Sequence, residues 1–289
     1  MIPGSFEYHR PAALGEAVGL LASLGDDARV LAGGHSLIPM MKLRMAAVEH
    51  LVDLQDIAEL AEIEVGPDRV TIGAMVTQDR LISHVGLAKA LPILREAALQ
   101  IADPQVRYVG TVGGNVANGD PGNDMPGLMQ CLDATYTVEG TSGARLIKAR
   151  DFYRGAYDTA RDDAEILTRI SIPVPPARTG YAYEKQKRKI GDYATAAAAV
   201  TIGAGQGAGQ GAVQASVAMT NLGDGPVWSP EAGAALAAGD VEAAVEAVLA
   251  AIEPGEDMRG PVEFKRHVAG VILRRAIARA QERSTPVAA

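Results

Sequence analysis

Two short glycine-rich segments carry the residue types best suited to holding an anion. The first, 32–36, reads Ala-Gly-Gly-His-Ser after a short apolar stretch, and the second, 110–115, reads Gly-Thr-Val-Gly-Gly-Asn. Paired glycines adopt backbone conformations closed to other residues, so successive N–H groups can point into one concavity that suits phosphate oxygens. Ser36, Thr111 and Asn115 add side-chain donors. Two such segments suit a diphosphate, although a tight turn between core elements explains the first segment equally well.

Asp124 and Tyr193 are two further side chains with a possible role at such a site. Asp124 follows a segment dense in Gly, Asn, Asp and Pro, and its carboxylate could accept hydrogen bonds from sugar or polyol hydroxyls. An Asx-turn or a helix cap explains it equally well. Tyr193 stands between the charged run 184–192 and the alanine-rich tract 194–199, where its ring could stack on a flat cofactor. Taken individually, the basic residues of the charged run favour a solvated face.

The cysteine and histidine content excludes several kinds of redox and metal centre. The chain has 289 residues, with one cysteine, Cys131, and five scattered histidines. An iron–sulphur cluster needs about four cysteine ligands, and a structural zinc site needs several Cys or His residues in close spacing. We therefore expect no cluster, no ordinary zinc site and no disulphide framework. Cys131 lies among apolar neighbours, which predicts a buried and unreactive thiol.

The charge balance and the hydropathy disfavour nucleic-acid and membrane partners. Lys+Arg 27 against Asp+Glu 35 gives a formal net charge of −8, which disfavours binding to nucleic acid or anionic lipid. No apolar run reaches the roughly 18 residues of a membrane span, and the N-terminus lacks the basic start and apolar core of a signal peptide. We expect a cytoplasmic protein without an integral membrane segment, and peripheral attachment at the inner face of the membrane through a complex stays open.

Strands and helices of moderate length must position these residues. Apolar spacing predicts helices at 11–25, 78–101 (with a break near Pro92), 239–252 and 261–282. Runs of β-forming residues predict strands near 29–32, 50–54, 69–77, 135–139, 166–172, 194–202 and 212–221. The stretch 103–127 predicts a long irregular loop. The prolines of 173–176 indicate a domain boundary, which gives a first domain, 1–176, with parts at about 1–54 and 55–176, and a second domain, 177–289.

A third glycine-rich segment, 203–211, matches the dinucleotide-binding spacing G-x-G-x-x-A through Gly203, Gly205 and Ala208. That reading requires a helix immediately afterwards, whereas residues 212–220 alternate as a strand. The near repeat of Gly-Ala-Gly-Gln also favours the tip of a hairpin. We therefore predict a hairpin connection that binds nothing.

The first two glycine segments resemble the diphosphate-binding signatures of the FAD-binding subunits of the molybdenum hydroxylases, which have the PCMH-type flavoprotein fold. The resemblance extends from the Pro-Gly-Ser-Phe start to the final helix, and it is sharpened by 101–105, 117–126 and 187–194. Val112 stands where the family commonly has isoleucine, and 203–211 looks like a loop insertion. The implied fold class is α+β: a two-part FAD-binding domain followed by a smaller C-terminal domain with an antiparallel sheet and helices.

This resemblance implies FAD as the cofactor, with its diphosphate on the two glycine segments. Asp124 would help to hold the ribityl or diphosphate region, Leu167 and Lys185 would lie near the flavin, and Tyr193 would cover the isoalloxazine ring. The expected cofactor-binding residues are Ala32, Gly33, Gly34, His35, Ser36, Ile101, Thr111, Val112, Gly113, Gly114, Asn115, Asp124, Leu167, Lys185 and Tyr193. No side chain of this chain is expected to act as a general base or to bind a metal.

The resemblance also implies a complex, arranged as a dimer of heterotrimers. In such complexes a large subunit oxidises the substrate at molybdenum, and a small subunit with two [2Fe–2S] clusters relays electrons to this FAD. The flavin then passes them to a quinone or another acceptor. The substrate stays open within the family, which includes aldehyde, nicotinate and quinoline hydroxylases. A non-catalytic scaffold with an empty nucleotide fold is the alternative from another class, and two intact glycine segments argue against it.

Overall fold

A computed structural model describes residues 2–204 and 212–284. Its strands are β1 (Glu7–His9), β2 (Ala28–Leu31), β3 (His50–Asp53), β4 (Ile63–Val65), β5 (Arg69–Gly73), β6 (Thr135–Gly140), β7 (Gly143–Lys148), β8 (Tyr153–Gly155), β9 (Asp158–Thr159), β10 (Ile166–Pro173), β11 (Gly180–Gln186), β12 (Ala196–Ala204), β13 (Val213–Thr220) and β14 (Val227–Trp228). Its α-helices are α1 (Leu14–Leu24), α2 (Leu37–Lys42), α3 (Gln78–Ser83), α4 (Val85–Ala90), α5 (Pro92–Ala98), α6 (Pro104–Val109), α7 (Val112–Ala117), α8 (Asp124–Cys131), α9 (Pro230–Ala237), α10 (Val241–Ala251) and α11 (Val262–Arg283). These elements confirm the predicted α+β class.

The first sheet is parallel and has the strand order β1-β3-β2. Helix α1 packs on one face because its apolar residues recur at three- and four-residue spacing. The buried residues of this small core include Leu14, Ala17, Leu21, Ala28 and Val52. Since β2 runs directly into the first glycine segment, that segment lies at the carboxyl end of the sheet.

The second sheet has the order β4-β5-β10-β6-β7 and is antiparallel throughout. Helices α3, α5, α7 and α8 contribute buried side chains to the large core beside it. Tyr136 and Phe152 are fully buried in this core and meet edge to face, with ring centroids 4.8 Å apart. This core therefore supports the helices that carry the second glycine segment.

The third sheet, β11-β12-β13-β14, is antiparallel and joins two cores. The alanine-rich strand β12 is buried on both faces: Ala197 and Ala199 belong to the core of the second sheet, whereas Ala196 and Ala198 belong to a core shared with α11. Successive side chains of a strand point to opposite faces. The predicted strands at 194–202 and 212–221 are thus confirmed within two residues at each end, as paired β12 and β13.

The stretch 103–127 corrects the prediction of a long irregular loop, because it contains α6, α7 and the start of α8. Its polar residues cap helices: the Asp103 side chain accepts from the N–H of Val106 at 3.0 Å, and Thr111 caps α7. Helix 78–101 is likewise interrupted at His84 as well as near Pro92. Short helices with polar caps and few apolar residues resemble loops in sequence.

The predicted hairpin connection of 203–211 falls mostly on 205–211, which lie outside the described residues. Within the described ranges, the structure contains no helix that is both long and apolar enough to cross a membrane.

Candidate functional site

A cavity of about 890 Å³ lies where the first glycine segment meets the second sheet, its helices and the end of β11. Its volume is within the roughly 300–1,000 Å³ of ordinary ligand pockets. Every expected cofactor-binding residue lines this cavity except Val112. Val112 is fully buried in the core of the second sheet. The structure therefore brings residues from four separate parts of the chain to one place.

The two glycines of the first segment are needed for two different reasons. Gly34 has a φ of +74°, a left-handed conformation that disfavours residues with a Cβ. The φ of Gly33 lies outside the left-handed region. A Cβ at Gly33 would nevertheless overlap with the carbonyl oxygen of Val109. The first segment is consequently packed against the end of α6, immediately before the second segment.

Four successive backbone N–H groups of the first segment are left free. Within residues 2–204 and 212–284, the N–H groups of Gly33, Gly34, His35 and Ser36 donate to no acceptor, and the Ser36 hydroxyl also has no partner. All four residues line the cavity. Backbone donors grouped in this way form a site for phosphate oxygens without any lysine. These free donors are what the predicted nest at 32–36 requires.

The second segment differs, and here the prediction of a second nest is wrong. Apart from Thr111, its N–H groups donate within the chain: Gly110 to Val106 O (2.7 Å), Val112 to Val76 O (2.8 Å), Gly113 to Ala74 O (2.9 Å), Gly114 to Thr111 Oγ1 (3.0 Å) and Asn115 to Thr111 O (3.1 Å). The Gly110 bond closes the end of α6, those of Gly114 and Asn115 form the first turn of α7, and those of Val112 and Gly113 attach α7 to the segment 74–76, directly after β5. All residues of this segment except Val112 still line the cavity.

Asn115 connects the second segment to the start of α8. Its Oδ1 accepts from the N–H of Met125 at 3.2 Å, and its carbonyl accepts from Nδ2 of Asn123 at 2.9 Å. Asp124, the first residue of α8, lies between these two contacts. The position of Asp124 thus depends on the second segment.

Asp124 is the centre of a buried charged cluster at the wall of the cavity. Its two carboxylate oxygens accept from the Tyr183 hydroxyl at 2.6 Å and from Nζ of Lys185 at 2.8 Å. The side chain of Lys185 is 1% exposed and that of Asp124 is 5% exposed. Burial and the adjacent carboxylate raise the pKa of Tyr183 well above its usual value. For Lys185, therefore, the interpretation of the charged run as a solvated face is wrong.

Tyr193 lines the cavity with a ring that is partly exposed. One edge packs against Gly122, where a Cβ would lie 2.7 Å from the ring, and the guanidinium of Arg259 lies 5.6 Å from the ring centroid. Arg259 also contacts Asp192 at 3.5 Å. Burial, followed by the charge of Asp120, raises the pKa of Tyr193 to about 12. The phenol is therefore neutral at physiological pH and presents an uncharged aromatic surface.

Ile101 and Leu167 give the cavity apolar wall. Both are buried, and the carbonyl of Ile101 accepts from Nη1 of Arg107 at 2.9 Å. Leu167 lies where the pairing of β10 with β6 shifts register, before Arg169. The irregularity occurs at the cavity wall, as is common for bulges beside functional sites.

Two residues beside the cavity were missed by the sequence reasoning. Gln78 is buried, its N–H donates to Gly110 O at 2.9 Å, and neither atom of its side-chain amide has a partner in the described part of the chain. Arg161 donates to the carbonyls of Asp162 and Glu165 at 2.7 and 2.8 Å. No sequence motif marks either residue, because only the fold brings them to the glycine segments. An orphaned buried amide together with four free N–H groups fits a polar, phosphate-containing cofactor.

Cys131 ends α8 and is buried, which confirms the burial predicted for its thiol. Its Sγ lies 3.4 Å from the carbonyl oxygen of Ser216. Burial raises its pKa to about 11, so the nucleophilic thiolate is scarce at neutral pH.

Two family models match the chain in succession. The FAD-binding domain of molybdopterin dehydrogenases matches residues 4–175, and the C-terminal domain of CO dehydrogenase flavoproteins matches residues 181–280. The carbon monoxide dehydrogenase medium chain of Afipia carboxidovorans is 56% identical over 289 residues, which cover 98% of this chain and 99% of that protein.

Solved structures show the same fold. A carbon monoxide dehydrogenase from Hydrogenophaga pseudoflava that lacks the molybdenum-pyranopterin moiety matches with a TM-score of 0.93 and 45% identity, over 99% of this chain and 100% of that one. Quinoline 2-oxidoreductase from Pseudomonas putida 86 matches with a TM-score of 0.90 and 32% identity, over the same shares of the two chains.

Proposed function

The chain belongs to the FAD-binding subunits of the molybdenum hydroxylases, and we propose that it is the electron-transfer subunit of a carbon monoxide dehydrogenase. FAD is its cofactor and, when bound, supplies the redox chemistry, whereas the protein binds, orients and electrostatically tunes it. The residues of this chain therefore have three tasks: holding the diphosphate, placing the isoalloxazine ring and keeping water from one of its faces.

The free N–H groups of 33–36 carry this proposal. They are four adjacent donors on one wall of a cavity of about 890 Å³, and a diphosphate supplies acceptors for all of them. The Ser36 hydroxyl adds a fifth donor. We assign the diphosphate to this segment, with Thr111 and the Gln78 amide as donors from the opposite side.

Lys185 and Tyr193 are proposed to face the isoalloxazine ring. An ammonium group has three donor protons, and those of Lys185 have acceptors in Asp124 Oδ2 at 2.8 Å and Gln100 O at 3.4 Å. One proton remains for an acceptor in the cavity. Asp124 therefore acts by fixing Lys185 as well as by any contact of its own, and Tyr193 supplies the aromatic surface that covers the ring.

Carbon monoxide is the proposed substrate of the assembled complex. The chain has higher identity to the carbon monoxide dehydrogenase medium chain than to the quinoline enzyme, which supports this choice. An aldehyde, nicotinate or quinoline-type hydroxylase is the alternative, and a scaffold without cofactor is a weaker one. The matched C-terminal domain of CO dehydrogenase flavoproteins also supports the division into 1–176 and 177–289.

The proposed electron path begins at [2Fe–2S] clusters of a small partner subunit and ends at a quinone or another acceptor. A large molybdenum-binding subunit completes a dimer of heterotrimers. The single buried cysteine supports cluster ligands in another chain. Near Tyr193, the apolar side chains of Ile190 and Met258 are 86% and 75% exposed, which suits contact with a partner. We place this complex in the cytoplasm, with peripheral attachment to the inner membrane face as the open part of the proposal.

FAD content of the native complex tests the diphosphate site. Gly34→Ala introduces a Cβ at a φ of +74°, so the segment must rotate its N–H groups, and we expect FAD per chain to fall at least about tenfold, the loss that 1.4 kcal/mol of binding energy gives. Gly239→Ala is the matched control, because Gly239 has a φ of +85°, open space around its Cβ position and no place in the cavity. Equal FAD content in the two variants would refute the assignment of the diphosphate.

The substrate is tested by turnover. The purified complex should oxidise carbon monoxide with an artificial electron acceptor. If electrons leave through this chain, removal of the flavin should abolish this activity. Oxidation of quinoline, nicotinate or an aldehyde without oxidation of carbon monoxide would establish the alternative.

A further inference from the structure

Three side chains with metal-binding atoms meet at the edge of the first sheet. Glu7 and His9 lie two residues apart on β1 and therefore share a face of the strand, and His50 begins β3. Parallel pairing places Glu7 beside His50. None of the three lines the cavity. His9 and His50 are 41 residues apart in the chain, so close spacing in the sequence could not reveal the group.

The distances within this group fit a divalent ion. His9 Nε2 and His50 Nδ1 are 3.1 Å apart, and Glu7 Oε2 is 3.4 Å from the His50 atom and 3.9 Å from the His9 atom. The point in the plane of the three atoms that is equidistant from them lies about 2.0 Å from each, which is the bond length of Zn²⁺ to imidazole nitrogen and to carboxylate oxygen. The spacing of the three atoms therefore matches a single ion position.

We propose that Glu7, His9 and His50 bind a divalent transition-metal ion such as Zn²⁺. Two imidazoles and one carboxylate are ligands typical of this class of ion, and the exposed side of Glu7 leaves room for water as a further ligand. A hydrogen bond between the two rings and direct contacts of Glu7 with each ring would give the same distances, and metal uptake distinguishes the two arrangements. Elsewhere in the described ranges, no three Asp, Glu, His or Cys side chains bring ligand atoms within 4.8 Å of one another.

The ion would fasten the edge strand β1 to the central strand β3. On the opposite face of β1, the Tyr8 hydroxyl already donates to Asp53 at 2.6 Å, so the strand would be held on both faces. His50 pairs with Ala28 at the amino end of β2, whereas the cofactor segment follows its carboxyl end. The site is therefore stabilising for the first sheet and separate from the electron path, since a ligand that binds only the folded state raises its stability.

Titration of the untagged, chelator-treated full chain with Co²⁺ and then Zn²⁺ tests this site. We expect one Co²⁺ per chain with the visible absorption of a four- or five-coordinate ion, displacement by Zn²⁺, and a rise in the thermal midpoint with Zn²⁺. His9→Gln and His50→Gln should each weaken Zn²⁺ binding by more than the roughly 10–100-fold that loss of an outer-shell partner costs. Glu7→Gln should weaken Zn²⁺ binding less, because the amide oxygen of glutamine can still act as a weak ligand.

His267→Gln is the matched control, because His267 is an exposed histidine on α11. It should bind one ion with unchanged affinity. Two results would overturn the proposal: no stoichiometric uptake by the unaltered chain, or equal uptake by His50→Gln and His267→Gln. A variant that fails to fold is recognised by circular dichroism. In that case the Glu7→Gln variant, altered at an exposed side chain, decides the question: weaker Zn²⁺ binding than in His267→Gln supports the site, and equal binding overturns it.

Discussion

The two glycine segments look alike in sequence but do different physical work. In 33–36, four N–H groups have no acceptor in the described chain, whereas in 110–115 all but that of Thr111 donate to protein oxygens. Gly34 provides a left-handed backbone, while Gly113 provides space beside Ala74. A Gly-Gly pair can thus open donors to a ligand or allow one element to pack closely on another. We propose that the first segment is the binding element and that the second positions a wall of the cavity.

The largest expected effect comes from substitution of Asp124, the residue whose position depends on the second segment. Asp124→Ala would leave the buried ammonium of Lys185 without its carboxylate, which costs about 3–5 kcal/mol of unfolding free energy. Denaturant unfolding measures this loss. The double variant Asp124→Ala with Lys185→Met should recover part of it, because no buried charge remains unpaired. Additive losses in the double variant would contradict the proposed pairing.

Alkaline pH should lower the stability of the fold through Cys131, at the end of α8, without acting directly on the N–H groups proposed to bind FAD. Because the folded pKa is raised from 9.0 to about 11, the buried thiol contributes full stability below pH 9 and loses it between pH 9 and 11. The loss is about 3 kcal/mol at two pKa units. The difference in unfolding free energy between the unaltered chain and Cys131→Ala should change across this window. The N–H groups of 33–36 do not titrate there, so FAD should leave only as the chain unfolds; FAD release from folded chain would contradict this.

Gly113→Ala is the next perturbation in size. Its Cβ would overlap with Ala74, the residue directly after β5, and overpacking of this kind costs about 1–3 kcal/mol. We expect a lower thermal midpoint with or without FAD. A variant of normal stability that fails to bind FAD would instead make 110–115 a binding element like 33–36.

The smallest effects come from removal of two hydroxyl groups, one in each glycine segment, that we expect to have different roles. Thr111 Oγ1 accepts from the N–H of Gly114 as a helix cap, so Thr111→Val should lower stability by about 1 kcal/mol. Ser36 Oγ caps nothing, so Ser36→Ala should leave the apo chain as stable as before and weaken FAD binding by a few fold. Equilibrium dialysis of FAD and thermal unfolding should be applied to both variants. Lower stability of Ser36→Ala, together with weaker FAD binding by a normally stable Thr111→Val, would contradict these roles.

Much of the site could be predicted from residue types, because glycine pairs, polar donors and apolar alternation act locally. The strands at 29–32 and 50–54 and the free N–H donors of 33–36 are of this kind. Long-range packing decided the rest. The burial of Lys185 depends on Asp124, 61 residues away. The N–H groups of 112–115 are occupied because the segment 74–76, which follows β5, and the cap at Thr111 lie beside them. Polar caps also made α6 and α7 resemble a loop.

Amide hydrogen exchange of the native complex, with FAD bound and after FAD removal, tests the central claim most directly. The N–H groups of 33–36 should exchange rapidly without FAD and become protected when it binds. Those of 112–115 should be protected in both states, because they already donate within the protein. Unchanged exchange at 33–36, or protection gained mainly at 112–115, would contradict the assignment of the first segment as the diphosphate-binding element.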